Sequence, residues 1–224
     1  EKSESDIENG CMDWAVKSLA GKNGLPSEGI GNDPTLEIPI LLSLLKTDDA
    51  EHASHGLARV GKPAVPHLLP LLSGPDEKLR RWACFAFEHM GAEGIDAVPD
   101  LIRLIQTKDP LQFSHAADAI RKMGPAGKDA VPHLIPWLKG GLPYTRRSAA
   151  RTLGGIGPDA CEAIPALEEA MKTGEEDDRP YFRRALWRIR PQPEPEQASD
   201  QKTEESKSDK QNGPSGSSDP PKGP

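Results

Sequence analysis

Aromatic residues make up only 4% of the sequence, and cysteine occurs three times in 224 residues. Cys11, Cys84 and Cys161 are far apart, odd in number and outside any C-x-x-C pair, so neither a disulfide framework nor a cysteine-type zinc site is encoded. No stretch approaches the roughly 20 apolar residues that cross a bilayer, and no membrane span is expected. A basic excess is missing too. The 28 basic and 35 acidic residues leave a net charge of −7, which argues against a surface that coats phosphate backbones. The opening EKSESD has no Met, basic n-region or apolar h-region. That beginning fits removal of an export signal and excision from a longer chain equally, so the compartment, cytoplasmic or exported, stays open; a soluble monomer is expected.

Glycine and proline are plentiful, at 21 and 23 residues. Residues 191–224 contain a single apolar residue, Ala198, and cannot bury enough surface to offset their ordering entropy, so a disordered polar tail is expected. Residues 1–34 read as a polar segment in which CMDWAVKSLAGKNG makes one capping helix before a Gly-rich loop. Gly21, Gly24, Gly29 and Gly31 lack the spacing of a phosphate-cradling loop and follow no strand.

Between these ends, over residues 35–190, one phrase recurs. AVPHLLPLL, AVPDLIRLI, AVPHLIPWL and AIPALEEAM put prolines at 66, 99, 132 and 165, a period of 33. Each phrase leads to a second segment that ends in glycine at 91, 124 and 157, and by the same count at Arg190. Upstream, EIPILLSLL and GLARVG place Pro39 and Gly61 in these two slots of a shorter first unit. Fixed-period self-similarity marks a stacked array.

Each unit reads as two helices. In the first, Val65, Leu68, Leu69, Leu71 and Leu72 form a 3.6-residue stripe, with Pro in the first turn where its missing N–H costs nothing. In the second, the positions eight, five, four and one before the glycine are apolar or small, as in Ala83, Ala86, Phe87 and Met90. The glycine itself suits a left-handed residue that ends a helix. No unit covers its own stripe, so neighbours must stack. The fold class expected is all-α, a right-handed superhelical solenoid of about five helical hairpins with the second helices on the concave side.

The AVP-x-L opening, the R-x-x-A-A-x-x-L-x-x-IG closing and the 33-residue period resemble HEAT repeats, in particular the short HEAT-like units of phycobilisome lyases. The resemblance covers about residues 35–190. It implies an interaction scaffold, with a lyase-like or chaperone-like helper acting on a chromophore-bearing client as the alternative. A deoxyhypusine hydroxylase resemblance fails, because it needs several His-Glu dyads and this chain has no such dyad, only reversed pairs such as Glu88-His89. A HEAT-like DNA glycosylase resemblance would need a basic concave face, yet residues 1–190 carry 24 basic against 28 acidic residues. His67 and His133 share one repeat slot, and His52 and His55 lie at i, i+3 with no second-helix partner in view, so no metal or cofactor is expected. No Gly-x-Ser-x-Gly, Walker loop or paired-carboxylate constellation appears, and no catalytic residue is assigned.

A 100° wheel puts the residues ten, six and three before the glycine opposite the core. Arg81, Phe85, Arg121, Arg147, Arg151, Arg184 and Trp187 occupy seven of those slots, and Arg with exposed rings is the composition of interface hot spots. Gly154 and Gly155 add a bare stretch of helix. The acids of the last unit, from Glu168 to Asp178, read as lying on the other layer or its loop. The expected partner is a protein or peptide with acidic and apolar side chains, held on the concave face; nucleic acid is disfavoured.

Overall fold

The computed structural model describes residues 21–22, 34–107, 109–140 and 142–190. The capping helix expected near the N-terminus, apart from the helical pair Gly21 and Lys22, lies outside them, as do the Gly-rich loop and the C-terminal tail. The unit that ends at Arg190 is described here.

Five helical pairs follow one another: α1 (Pro34–Leu44) and α2 (Ala50–Val60), α3 (Val65–Ser73) and α4 (Glu77–Met90), α5 (Val98–Gln106) and α6 (Pro110–Met123), α7 (Val131–Leu134) and α8 (Pro143–Ile156), α9 (Ile164–Thr173) and α10 (Arg179–Ile189). No strand occurs among the described residues. Prolines 66, 99, 132 and 165 sit in the first turn of α3, α5, α7 and α9, as the sequence predicts. Pro39 departs from that slot, because α1 begins five residues earlier and encloses it. Ile38 and Glu37 hold the added turn: both are buried, and the Glu37 carboxylate pairs with Arg59 of α2. α7 gives way to a 3-10 turn over Ile135–Leu138, where Pro136 offers no N–H to the carbonyl of Pro132.

The core follows the predicted positions. Ala83, Ala86, Phe87 and Met90, their counterparts Ala116, Ala119, Ile120 and Met123, then Ala149, Thr152, Leu153 and Ile156 are all buried. One more slot, seven before the glycine, is buried as well, by Ser54, Cys84, Ala117 and Ala150. Small residues there let α2, α4, α6, α8 and α10 pack side by side in a continuous row, more closely than the first helices pack with one another. The tighter row is the inner side of the curve. Thr152 takes an Ala slot and satisfies its hydroxyl by donating to the Ala117 carbonyl of α6 at 3.0 Å.

Gly61, Gly91, Gly124 and Gly157 turn the chain from each second helix into a 3-10 segment and the next unit, with φ between 58 and 81°. Their ψ values, from −131 to −144°, differ from the left-handed helical region expected from the sequence. This is the mirror of the strand region, which side chains avoid more strictly still. Arg190, in extended backbone, makes no such turn.

The helix starts show the period and its failure. Asp76 caps α4 by accepting from the backbone N–H groups of Lys78 (2.9 Å) and Leu79 (3.2 Å). Asp109 caps α6 through Leu111 and Gln112, and the Gln112 side-chain amide with these backbone bonds holds its carboxyl below the usual range. The next counterpart, Leu142, sits in extended cap geometry with no side-chain cap and is 49% exposed. At α10 a different device takes over. The carboxylate of Asp178, fully buried, accepts from Arg147 Nε (2.5 Å) and Arg146 Nε (2.6 Å) of α8, and Arg146 also reaches Glu175 at 2.7 Å. Burial pushes the Asp178 carboxyl upward, but the hydrogen bonds from Arg147 and Arg146 outweigh it and the net shift is downward.

Two stability measurements test this account. Leu142→Asp supplies the missing cap and is expected to raise the stability of the full chain by about 1 kcal/mol in urea denaturation. Asp178→Ala leaves two arginines without their carboxylate and is expected to cost about 3 kcal/mol; a loss below about 1 kcal/mol would show that the clamp adds nothing beyond a surface ion pair.

Candidate functional site

The inner row presents one pronounced cavity, of about 190 Å³, between α8 and α10 with Arg121 of α6 at its edge. Ala150, Gly154 and Ala185 line it with small side chains, and Tyr181 lines it beside Arg151, Arg184 and Arg188. No carboxylate lines it. Arg151, Arg184 and Arg188 are exposed and make no ion pair with any described residue. Arg121 is committed on one edge, donating from Nε to Asp118 at 3.1 Å and from Nη2 to Glu88 at 3.3 Å.

Of the seven residues singled out from the sequence, the fold brings Arg121, Arg151 and Arg184 to this cavity. Arg147 lies beside it, but its guanidinium is held by Asp178, which raises its pKa, and sits over the Tyr181 ring at 5.4 Å. It therefore acts as a support for the tyrosine wall. Trp187 is 63% exposed and does not line the cavity. Arg81 and Phe85 belong to α4, away from it: the Arg81 guanidinium stacks over Trp82 at 4.7 Å, and Phe85 is half-buried.

Two expectations about this face are corrected. Gly154 and Gly155 are not a bare approach for a partner. A Cβ on Gly154 would meet Ala185 Cα at 3.0 Å, and one on Gly155 would meet Arg121 Cγ at 2.6 Å and the Arg121 carbonyl at 2.9 Å, so both glycines serve close helix packing. The acids of the last unit are not all segregated either, since Asp178 reaches across to α8. Tyr181 and Arg188 were not singled out from the sequence. They lie one residue from the wheel positions at Pro180 and Trp187, and a wider stripe would have included them.

At the other end of the row, Phe85 packs edge-on to His55 of α2 at 5.0 Å and against His89 at 4.5 Å, with the two imidazoles 4.2 Å apart. Burial lowers the pKa of both rings, helped by their mutual repulsion at His55 and by Lys122 at His89. Glu51 opposes this at His55, and His52 adds to the lowering. Among the described residues no group of three or more His, Cys, Asp or Glu is placed to hold a metal ion. Cys84 is buried, and desolvation pushes its thiol up to about 12, so it stays protonated and is no nucleophile.

A base whose folded pKa is depressed binds fewer protons folded than unfolded, so its contribution is intact above the unfolded value and is lost on acidification. The chain is therefore expected to lose stability from about pH 6.5 downward, and His55→Asn with His89→Asn should flatten that part of the profile. An unchanged slope in the double variant, read by thermal melts between neutral and mildly acid pH, would exclude the pair as its source.

The family model of HEAT repeats matches residues 65–141. No curated protein matches the chain. Among solved structures, the complex of CpcE and CpcF of phycocyanin lyase from Nostoc sp. PCC7120 is similar at 21% identity and a TM-score of 0.57, over 66% of this chain and 96% of that one. An engineered protein aligns at 20% identity and a TM-score of 0.55, over 79% and 83% of the two chains. A designed armadillo repeat protein in complex with the peptide (KR)4 aligns at 16% identity and a TM-score of 0.52, over 68% and 82%. Residues 65–141 thus match the HEAT-repeat model, and the recurrent helical pairs, their glycine turns and these likenesses show that the described chain has an armadillo/HEAT-like helical solenoid fold.

Proposed function

We propose that the chain is a non-catalytic protein-interaction scaffold that holds an acidic, partly apolar segment of another protein on the inner row of helices. One observation carries this reading: Arg151, Arg184 and Arg188 surround a cavity that has no carboxylate in its lining. Cations left without a counter-charge are solvated cheaply at a surface and become favourable contacts once a carboxylate reaches them. Tyr181 adds a ring whose burial costs little side-chain entropy. A designed armadillo neighbour is seen with the basic peptide (KR)4; the cavity here is lined by arginines and has the same sign as that peptide, so its complement is acidic. The likeness to phycocyanin lyase is one of fold, and no residue on this face favours a pigment over a peptide.

Fluorescence anisotropy with a labelled peptide of alternating glutamate and leucine tests the reading. Binding is expected to weaken steeply with salt and to fall by about tenfold or more in the Arg151→Glu, Arg184→Glu variant. Equal binding by wild type and variant, or equal binding of (KR)4, would sink it.

A further inference from the structure

Resting on that reading, we propose that the cavity between α8 and α10 takes the phosphoryl group of a phosphorylated segment in the partner protein.

The cavity lies where a repeated slot carries no side chain and α10 packs close on α8. Three residues before the closing glycine, or Arg190 in the last unit, stand Glu88, Arg121, Gly154 and Trp187, so the row of side chains breaks at α8. Gly154 gives the cavity a wall of backbone, with Ala150 and Ala185 beside it. At about 190 Å³ the space far exceeds the roughly 10–15 Å³ that one water needs. Four guanidiniums border it, and only Arg121 is offset by neighbouring acids.

Three uncompensated cations around one small space repel each other, and one carboxylate, with a single negative charge, leaves most of that repulsion standing. A phosphate monoester carries about −1.5 to −2 near neutral pH and offers three strong acceptor oxygens. Guanidinium forks pair with such oxygens two bonds at a time, which matches arginine in place of lysine at every charged position of this lining. Tyr181 is an ordered wall, because Arg147 is stacked on its ring and anchored on Asp178.

The charge is focal, and that favours a single phosphoryl group on a peptide over the backbone of a nucleic acid. One and two repeats toward the N-terminus the same ridge carries Asp118 and Glu88, which would face the next phosphates of a polyanion. Farther along it turns aromatic, with Phe85, Trp82 and His55 in contact. A peptide with one phosphorylated residue and apolar flanking side chains fits that sequence of surfaces.

The test uses the full chain and a labelled peptide with glutamate and leucine around one central position, in three forms: serine, glutamate and phosphoserine. Anisotropy is expected to show the phosphoserine form bound about tenfold more tightly than the glutamate form. The preference should vanish in the Arg151→Gln, Arg184→Gln, Arg188→Gln variant, whose melting point should stay close to wild type because these side chains are exposed and unpaired. Equal affinity for the phosphoserine and glutamate forms would overturn the phosphoryl assignment and leave the acidic-segment reading standing; no binding of any form would end both. A preference that survives in the triple variant would overturn the site, and inorganic phosphate binding as tightly as the phosphopeptide would overturn the assignment to a partner protein.

Discussion

Close approach between successive second helices is the constraint on which the rest depends. A hairpin of two short helices has too little apolar area to stand alone, so each unit is stable only against its neighbours. That contact demands small side chains at fixed intervals, and the chain supplies them as Ala83 and Ala86, Ala116 and Ala117, Ala149 and Ala150. Where α8 meets α10, alanine is already too large, and Gly154 admits the Ala185 backbone. The same glycine removes a side chain from the inner ridge. Packing and the shape of the binding cavity are therefore set by one residue, and neither can be altered without the other.

Variation along the row then decides where charge is exposed on the inner face. Six residues before the closing glycine, or Arg190 in the last unit, the four later second helices place Phe85, Asp118, Arg151 and Arg184 in turn, on nearly the same backbone. The early units settle their charges internally, through Arg121 with Glu88 and Asp118. In the last two units Arg151, Arg184 and Arg188 are exposed and have no carboxylate partner among the described residues. Asp178 takes up Arg146 and Arg147 at the helix starts, which ties α10 to α8 where the regular aspartate cap has lapsed at Leu142. Cation density on the inner face is thus separated from the ion pairs that hold the units together.

Periodic features of this fold were legible in the sequence because each is local and repeated. Proline in the first turn, glycine at the turn and the positions of the buried stripe follow from helix geometry alone, and five pairs with the expected core result. Departures came from contacts between units. The extra turn that encloses Pro39 rests on Glu37 meeting Arg59, and the close packing at Gly154 and Gly155 depends on how near α10 and Arg121 come. A wheel drawn for one helix contains no neighbour, so it marks Gly154 as open. At the cavity, the wheel placed Arg121, Arg151 and Arg184 together but could not tell that Asp178 would claim Arg147, since that carboxylate arrives from another unit.

The far face of α10 shows how the array ends. Seven residues before the closing position the inner helices bury Ser54, Cys84, Ala117 and Ala150 under the following unit, whereas α10 has Arg183, exposed. An arginine at a slot reserved elsewhere for small buried side chains makes stacking of a further like unit costly, because its charge would have to be desolvated. Among the described residues the row of second helices ends at α10, where Arg184 and Arg188 are exposed. At the last described junction the cavity has the small residues Ala150 and Gly154 of α8 on one side and the exposed Arg184 and Arg188 of α10 on the other, so its charge comes largely from α10 and its depth from α8.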